Sequence, residues 1–224
     1  MRRRVTFSRN YTLSLSRTCQ CYCKYCAFAT HKTHLYSPDE VEQQLDLALR
    51  RRAKELLILT GERPEVDPGV RARLEQYGHE DFTAYVVWAC ERALERGLLP
   101  HTNLGVLDHD DLARLRDVTA SQGLMLESIS ERLMETVHAG SPTKHPQRRL
   151  QTIRAAGELR IPFTSGILVG TSGLVGRWPR VPDAYHDTAR RSTIWPPYFK
   201  WGHVAAIRFA SARSRAWTMK KPRG

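Results

Sequence analysis

The 224-residue sequence predicts an α/β fold, a partial barrel of parallel strands that is incomplete after its fifth strand. Three observations carry this. Short apolar runs alternate with amphipathic helical runs from Thr12 to Gly170, each apolar run ends in polar or glycine residues, and the alternation stops at Gly170. Strand–helix alternation implies right-handed crossovers into a parallel sheet. In closed or partial barrels the C-terminal strand ends carry the active site.

The elements follow in order. Leu13–Ser16 is the first strand and leads into a cysteine-rich loop. Ser37-Pro-Asp-Glu40 has the spacing of a capping box with proline at the first helical position, and Val41, Leu45 and Leu49 behind it recur at helical spacing. Glu55–Leu59 is a buried strand ending at Thr60-Gly61-Glu62. Phe82–Arg96 is a helix stopped by Gly97, and Leu98–Thr102 is the third strand. Asp108–Thr119 is a helix whose acidic first turn suits its dipole. Gly123–Glu127 is the fourth strand, helical patterns follow over Ser130–His138 and Pro146–Leu159, and Ile161–Val169 is the fifth strand. The predicted strand ends are therefore the cysteine loop, Thr60-Gly61-Glu62, His101-Thr102-Asn103, Glu127 and Gly170.

Residues 171–224 break this grammar. They contain no glutamate, one leucine (Leu174), four of the five tryptophans and five of the twelve prolines. The sequence divides into a 1–170 partial-barrel domain and a basic, irregular 171–224 segment. The formal charge of +12 divides the same way: the last segment has 11 Lys/Arg against Asp183 and Asp187, whereas residues 1–170 have 24 Lys/Arg against 21 Asp/Glu. The body is nearly balanced, so nucleic acid is not the expected partner of the whole chain. No apolar run approaches the roughly 18–20 residues of a membrane span. Met-Arg-Arg-Arg-Val at the start lacks the apolar core of a secretory signal. Clustered cysteines outside any disulfide framework fit a cytoplasmic location.

Cys19, Cys23 and Cys26 are spaced C-x3-C-x2-C in Arg17-Thr-Cys-Gln-Cys-Tyr-Cys-Lys-Tyr-Cys-Ala-Phe-Ala29. A cubane iron–sulfur cluster with every iron held by cysteine needs four thiolates, so three leave one iron open to a substrate or cofactor. Zinc is the alternative, but structural zinc sites pair two ligand knuckles separated in sequence. Cys21 could in principle be a fourth ligand, in a set crowded for a tetrahedral ion. Cys90, in Trp88-Ala-Cys-Glu-Arg92, reads as a small buried apolar residue.

At this loop, with Tyr25 as the aromatic, the chain resembles the radical S-adenosylmethionine (SAM) superfamily. Leu59-Thr-Gly-Glu62, Leu99-Pro-His-Thr-Asn-Leu-Gly105, Gly123-Leu-Met-Leu-Glu-Ser128 and Ile161-Pro-Phe-Thr-Ser-Gly-Ile-Leu-Val-Gly170 resemble, in order, one family within it. That family is 7,8-didemethyl-8-hydroxy-5-deazariboflavin synthase, subunit 1, of coenzyme F-420 biosynthesis. The resemblance covers roughly residues 10–170 and implies a radical SAM (β/α)6-type partial TIM barrel. It implies a [4Fe-4S] cluster on Cys19, Cys23 and Cys26, with exchangeable SAM on the fourth iron. Gly61 and Glu62 match the pair that meets the SAM amino group, a carboxylate against an ammonium. Glu127 takes the place of a ribose-binding residue, Asn103 and Gly170 fall on the cofactor side, and His101 and Thr102 line the mouth toward substrate. Tyr22 and Tyr25 flank the ligands and shield the cluster.

The implied reaction is that of a lyase. It is the radical cyclisation of 5-amino-5-(4-hydroxybenzyl)-6-(D-ribitylimino)-5,6-dihydrouracil with loss of ammonium. Its implied partners are the companion synthase subunit and a low-potential electron donor. Two other enzymes share the general pattern: the companion subunit, which couples tyrosine to a ribitylaminouracil, and a menaquinone-pathway radical SAM enzyme. A non-enzymatic alternative is an iron–sulfur or zinc protein whose tail, with Trp195, Tyr198, Phe199 and Trp201 near Lys200 and Arg208, stacks on single-stranded nucleic acid. The resemblance ends at Gly170: the family continues with Ile-Gly-Glu-Thr, and Gly173 stands where its glutamate is expected. A coding frame lost near Gly170 accounts for the change. The expectation is then a chain that is truncated relative to its family, weakly stable and with little or no turnover.

Overall fold

The computed structural model describes residues 8–168 and, for the backbone, 200–201. Among the described residues six strands form one parallel sheet in sequential order: β1 (Asn10–Ser16), β2 (Glu55–Thr60), β3 (Leu99–Asn103), β4 (Ser121–Gly123), β5 (Phe163–Ser165) and β6 (Lys200–Trp201). Five α-helices among the described residues connect or flank them: α1 (Pro38–Arg50), α2 (Pro68–Gln76), α3 (Phe82–Glu95), α4 (His109–Arg116) and α5 (Pro146–Glu158). This is the predicted α/β partial barrel. No helix among the described residues is long and apolar enough to cross a membrane.

Strand alternation splits the sheet into two faces. Leu13, Leu15, Leu56 and Ile58 point outward into a core shared with Val41, Leu45 and Ala48 of α1 and Tyr85, Val86, Ala89 and Ala93 of α3. A second core joins Leu112 of α4, Leu124 and Leu126 after β4, Ile153 and Ala156 of α5, and Phe163 of β5. The opposite face carries Thr12 and Ser14, Leu57 and Leu59, His101 and Asn103, and Ser121, in mutual register. It is the more polar of the two faces, with Leu57 and Leu59 its apolar members.

The Ser37/Glu40 capping box is present in both directions, with Ser37 N–H donating to Glu40 Oε2 at 2.7 Å and Glu40 N–H to Ser37 Oγ at 3.3 Å. Ala48, not Leu49, completes the buried stripe of α1; Leu49 is 40 % exposed. The 3.6-residue period places positions 41, 45 and 48 on one face. Helix α2 is an element that the hydrophobic pattern did not signal. Its marker is the Asp67 cap, which accepts from Val70 N–H, with Pro68 at the first helical position.

Three expectations need correction. Strand β4 starts at Ser121, earlier than the predicted Gly123. Residues 124–127 run on only through scattered bonds, Leu124 N–H to Thr164 O and Glu127 N–H to Gly166 O, both at 3.0 Å. The Ser130–His138 helix is a short 3₁₀ segment, Glu131–Glu135, because Ser130 provides no side-chain cap and Thr136 leaves helical geometry at φ −123°, ψ −96°. The sheet also does not stop at β5: Lys200 and Trp201 pair in parallel with Thr164 and Ser165. The sequence of residues 171–224 carries no sustained strand period, so it gave no sign of this pairing. Gly170 and Gly173, and the rest of 171–224 apart from Lys200 and Trp201, lie outside the described residues.

Candidate functional site: a cysteine loop over the strand ends

The loop between β1 and α1 is held by its own polar groups. Ser16 Oγ donates to His34 O at 2.6 Å, Thr18 Oγ1 donates to Lys32 O at 2.8 Å and accepts from His34 N–H at 2.7 Å. Thr18 and Thr30 form an isolated parallel bridge, and Tyr36 N–H returns to Leu15 O at 3.0 Å. The end of β2 is locked beneath it: Gly61 N–H donates to Ser16 O at 2.8 Å and Gln20 N–H donates to Glu62 O at 3.0 Å. A Cβ on Gly61 would overlap the Thr18 carbonyl and crowd Cys19 Cβ, so only glycine permits this approach.

Several backbone amides point at the cysteine sulfurs. Glu62 N–H and Cys21 N–H donate to Cys19 Sγ at 3.2 and 3.4 Å, and Ala29 N–H donates to Cys26 Sγ at 3.4 Å. Donation of this kind favours thiolate, the form that binds metal. The hydrogen bond with the Cys21 thiol is the largest influence on both Cys19 and Cys23, and each is brought down to about 6. Cys21 is driven the opposite way by those same two bonds and keeps its proton. It is buried, 3.1 Å from Thr143 Oγ1. Cys19, Cys21 and Cys23 thus lie against one another, while Cys26 sits exposed further along the loop. Cys90 is fully buried in the α3 core, and desolvation pushes its thiol well up, as expected of an inert residue.

Among the described residues, no three His, Cys, Asp or Glu side chains gather around a point where one metal ion would sit. A cubane differs from an ion in that its irons occupy separate corners and each takes one thiolate. The donor set fits such a cluster: closely spaced thiols, two of them biased to thiolate, with amides aimed at sulfur.

Beside the loop, Glu62 is buried at the end of β2. Its Oε2 pairs with Arg149 Nη1 at 3.2 Å, and its Oε1 has no hydrogen-bond partner. An orphaned buried carboxylate oxygen is costly unless a ligand donor completes it, and an ammonium group is the natural complement. Gly105, at φ +87°, packs so tightly on the Glu62 side chain that a Cβ there would overlap it. Glu127, at φ +62°, pairs with Lys144 at 2.7 Å, both side chains 12 % exposed.

Of the β3 residues, His101 and Asn103 lie on the inner face, and His101 Nδ1 is 2.6 Å from Ser121 Oγ. Thr102 does not join them. Strand alternation turns it to the outer face, in register with Ile58 and Gln122, where it is 1 % exposed. Tyr22, 58 % exposed, stacks on His31 at 4.0 Å, and Tyr25 Oη is 2.9 Å from His138 Nε2.

Sequence reasoning missed the far side of the site, residues 137–149. Lys24 N–H donates to Val137 O at 2.9 Å, Tyr22 N–H donates to Ser141 Oγ at 2.9 Å, and Lys144 and Arg149 neutralise Glu127 and Glu62. The available signal was the basic, acid-free string from Val137 to Arg149, within a chain body of balanced charge.

The radical SAM superfamily model matches residues 13–174, most of the chain and every site residue described above. The chain belongs to the radical SAM superfamily. Members use a [4Fe-4S] cluster held by cysteines together with SAM. Among curated relatives, the chain is 46 % identical over 169 residues to the 7,8-didemethyl-8-hydroxy-5-deazariboflavin synthase of Methanothermobacter thermautotrophicus, covering 74 % of this chain and 52 % of that protein. The synthase of Methanocaldococcus jannaschii is 42 % identical over 168 residues, covering 74 % and 47 %. That of Methanococcoides burtonii is 41 % identical over 208 residues, covering 91 % and 59 %. The chain spans about half the length of the curated relatives it matches. Two solved structures share the fold. They are HydG, a maturase of the [FeFe]-hydrogenase (TM-score 0.59, 19 % identity, 72 % of this chain and 35 % of that one), and methylornithine synthase PylB (TM-score 0.54, 19 % identity, 72 % and 44 %).

Proposed function

We propose that this radical SAM chain carries the radical-generating site and the substrate face of a deazariboflavin synthase. The reaction is the cyclisation of 5-amino-5-(4-hydroxybenzyl)-6-(D-ribitylimino)-5,6-dihydrouracil with loss of ammonium. The identity of 46 % to a curated synthase is the observation that carries this reading. Cys19, Cys23 and Cys26 would hold the cluster and leave one iron for SAM. Bound there, the reduced cluster and SAM supply methionine and a 5′-deoxyadenosyl radical. Glu62 Oε1 receives the SAM ammonium, and Gly61 leaves the space that brings the cysteine loop over it. Glu127, fixed by Lys144, faces the ribose. His101, oriented by Ser121, meets the substrate from the inner wall and Asn103, on the same face, meets the cofactor; Thr102, on the outer face, touches neither. A low-potential electron donor, the companion subunit and a cytoplasmic setting complete the proposal.

The test is anaerobic iron–sulfide reconstitution followed by assay of 5′-deoxyadenosine. SAM cleavage is expected to rise when the cyclisation substrate is added and to stay at background with tyrosine plus ribitylaminouracil. The reverse pattern would assign the chain to the companion activity and overturn the reading.

We also propose that residues 171–224 are read outside the family's frame, supported by their lack of glutamate and their surplus of tryptophan and proline. The match to the M. burtonii protein runs into this segment, so the nucleotide sequence around codon 170 decides the matter. The expected locus has an open alternative frame encoding the family's Ile-Gly-Glu-Thr continuation. Restoring that frame raises deazaflavin fluorescence from near background. A single intact frame, or robust deazaflavin formation by the present chain as distinct from SAM cleavage, contradicts the proposal.

A further inference from the structure

Five consecutive residues of the cysteine loop, Cys21 to Lys24 and then Tyr25, are each gripped by a segment more than a hundred positions away. Cys21 Sγ is 3.1 Å from Thr143 Oγ1, Tyr22 N–H donates to Ser141 Oγ at 2.9 Å, and Cys23 Sγ is 3.4 Å from that same oxygen. Lys24 N–H donates to Val137 O at 2.9 Å and Tyr25 Oη is 2.9 Å from His138 Nε2. The gripping segment is itself pinned: His138 N–H donates to Leu133 O at 2.8 Å, and Ser141 N–H to His138 O and Lys144 N–H to Ser141 O, both at 2.9 Å. Ser141 is fully buried at its centre.

A serine hydroxyl has one proton and two lone pairs. The Tyr22 amide occupies a lone pair of Ser141 Oγ, which leaves the proton free. A ligating cysteine sulfur is a thiolate and can only accept. We propose that Ser141 is a positioning residue, donating its hydroxyl proton to Cys23 Sγ and so raising the reduction potential of the cluster. The inference rests on the reading that Cys23 is a cluster ligand. Its physical basis is that an added electron increases the negative charge on the ligating sulfurs, and a hydrogen-bond donor there stabilises the reduced state. Hydrogen bonds to sulfur are among the recognised determinants of cluster potential. Ser141 also holds the Tyr22 amide, so one side chain fixes both the sulfur and the backbone that carries it.

The experiment is a redox titration, followed by electron paramagnetic resonance, of the reconstituted full chain without SAM. Wild type, Ser141→Ala, Ser141→Thr and Thr143→Val are compared for iron content, midpoint potential and thermal melting of the iron-free protein. Ser141→Ala is expected to shift the midpoint to lower potential, Ser141→Thr to restore it, and Thr143→Val, which touches the non-ligating Cys21, to leave it in place. If Ser141→Ala melts normally but takes up no iron, uptake by Ser141→Thr supports the donor role. An unchanged midpoint in a fully loaded Ser141→Ala protein overturns the inference, as does loss of iron in both Ser141 variants. Full iron uptake by Cys23→Ala would instead remove the ligand reading on which it rests.

Discussion

Alanine in place of Cys19, Cys23 or Cys26, one at a time, is expected to abolish the reduced-cluster signal and SAM cleavage, whereas alanine at Cys21 leaves both largely intact. With these three as ligands each thiolate would serve a different iron, so the loss of any one would leave a corner of the cubane without protein. Removing even a supporting group around a metal typically costs about 10–100-fold, and a direct ligand should cost more than roughly 100-fold. Cys21 differs in its surroundings. Its thiol retains its proton between Cys19 and Cys23 and is buried against Thr143, the behaviour of a small hydrophobe with a weak donor. Iron and sulfide per chain, the reduced-cluster resonance and 5′-deoxyadenosine yield are the measurements. Loss of iron in Cys21→Ala with retention in Cys26→Ala would reassign the ligands to Cys19, Cys21 and Cys23, the three that lie against one another in the structure.

Much of the site was legible because its chemistry is local in sequence. The cysteine spacing names a cluster without any tertiary information, and Thr60-Gly61-Glu62 announces a strand end. Thr102 shows the limit of this reasoning. Three successive polar residues look like one wall, yet the period of two in a strand sends the middle one to the helix side. The partners of the charges were illegible for a different reason. Glu62 and Arg149, or Cys23 and Ser141, are brought together only by the tertiary fold, and no local pattern encodes such distant pairings. Strand β6 was hidden because its two residues lie in a segment with no sustained strand period.

Arg149→Met is expected to destabilise the apo chain by about 3–5 kcal/mol, the usual cost of removing one partner of a buried ion pair. The side chains of Arg149 and Glu62 are only 3 % and 7 % exposed, so water cannot replace the lost partner. Arg149 also donates from Nε to Met125 O at 2.6 Å and from Nη1 to Thr143 O at 3.2 Å, tying the run after β4 to the segment that grips the cysteine loop. Glu62→Gln is expected to cost less, because the guanidinium keeps both carbonyls. The double variant, Glu62→Gln with Arg149→Met, should lose less than the sum, since no charge is then stranded. Urea unfolding of the iron-free protein at neutral pH reads all three. A cost under about 1 kcal/mol for Arg149→Met, the range of exposed pairs, would show that the pair is open to solvent. SAM affinity separates structure from function at the same residue. Glu62 spends Oε2 on Arg149 and leaves Oε1 without a hydrogen-bond partner, so Glu62→Gln should retain most of its stability and the cluster yet bind SAM weakly. Undiminished SAM binding by that variant would leave the carboxylate with a structural role alone.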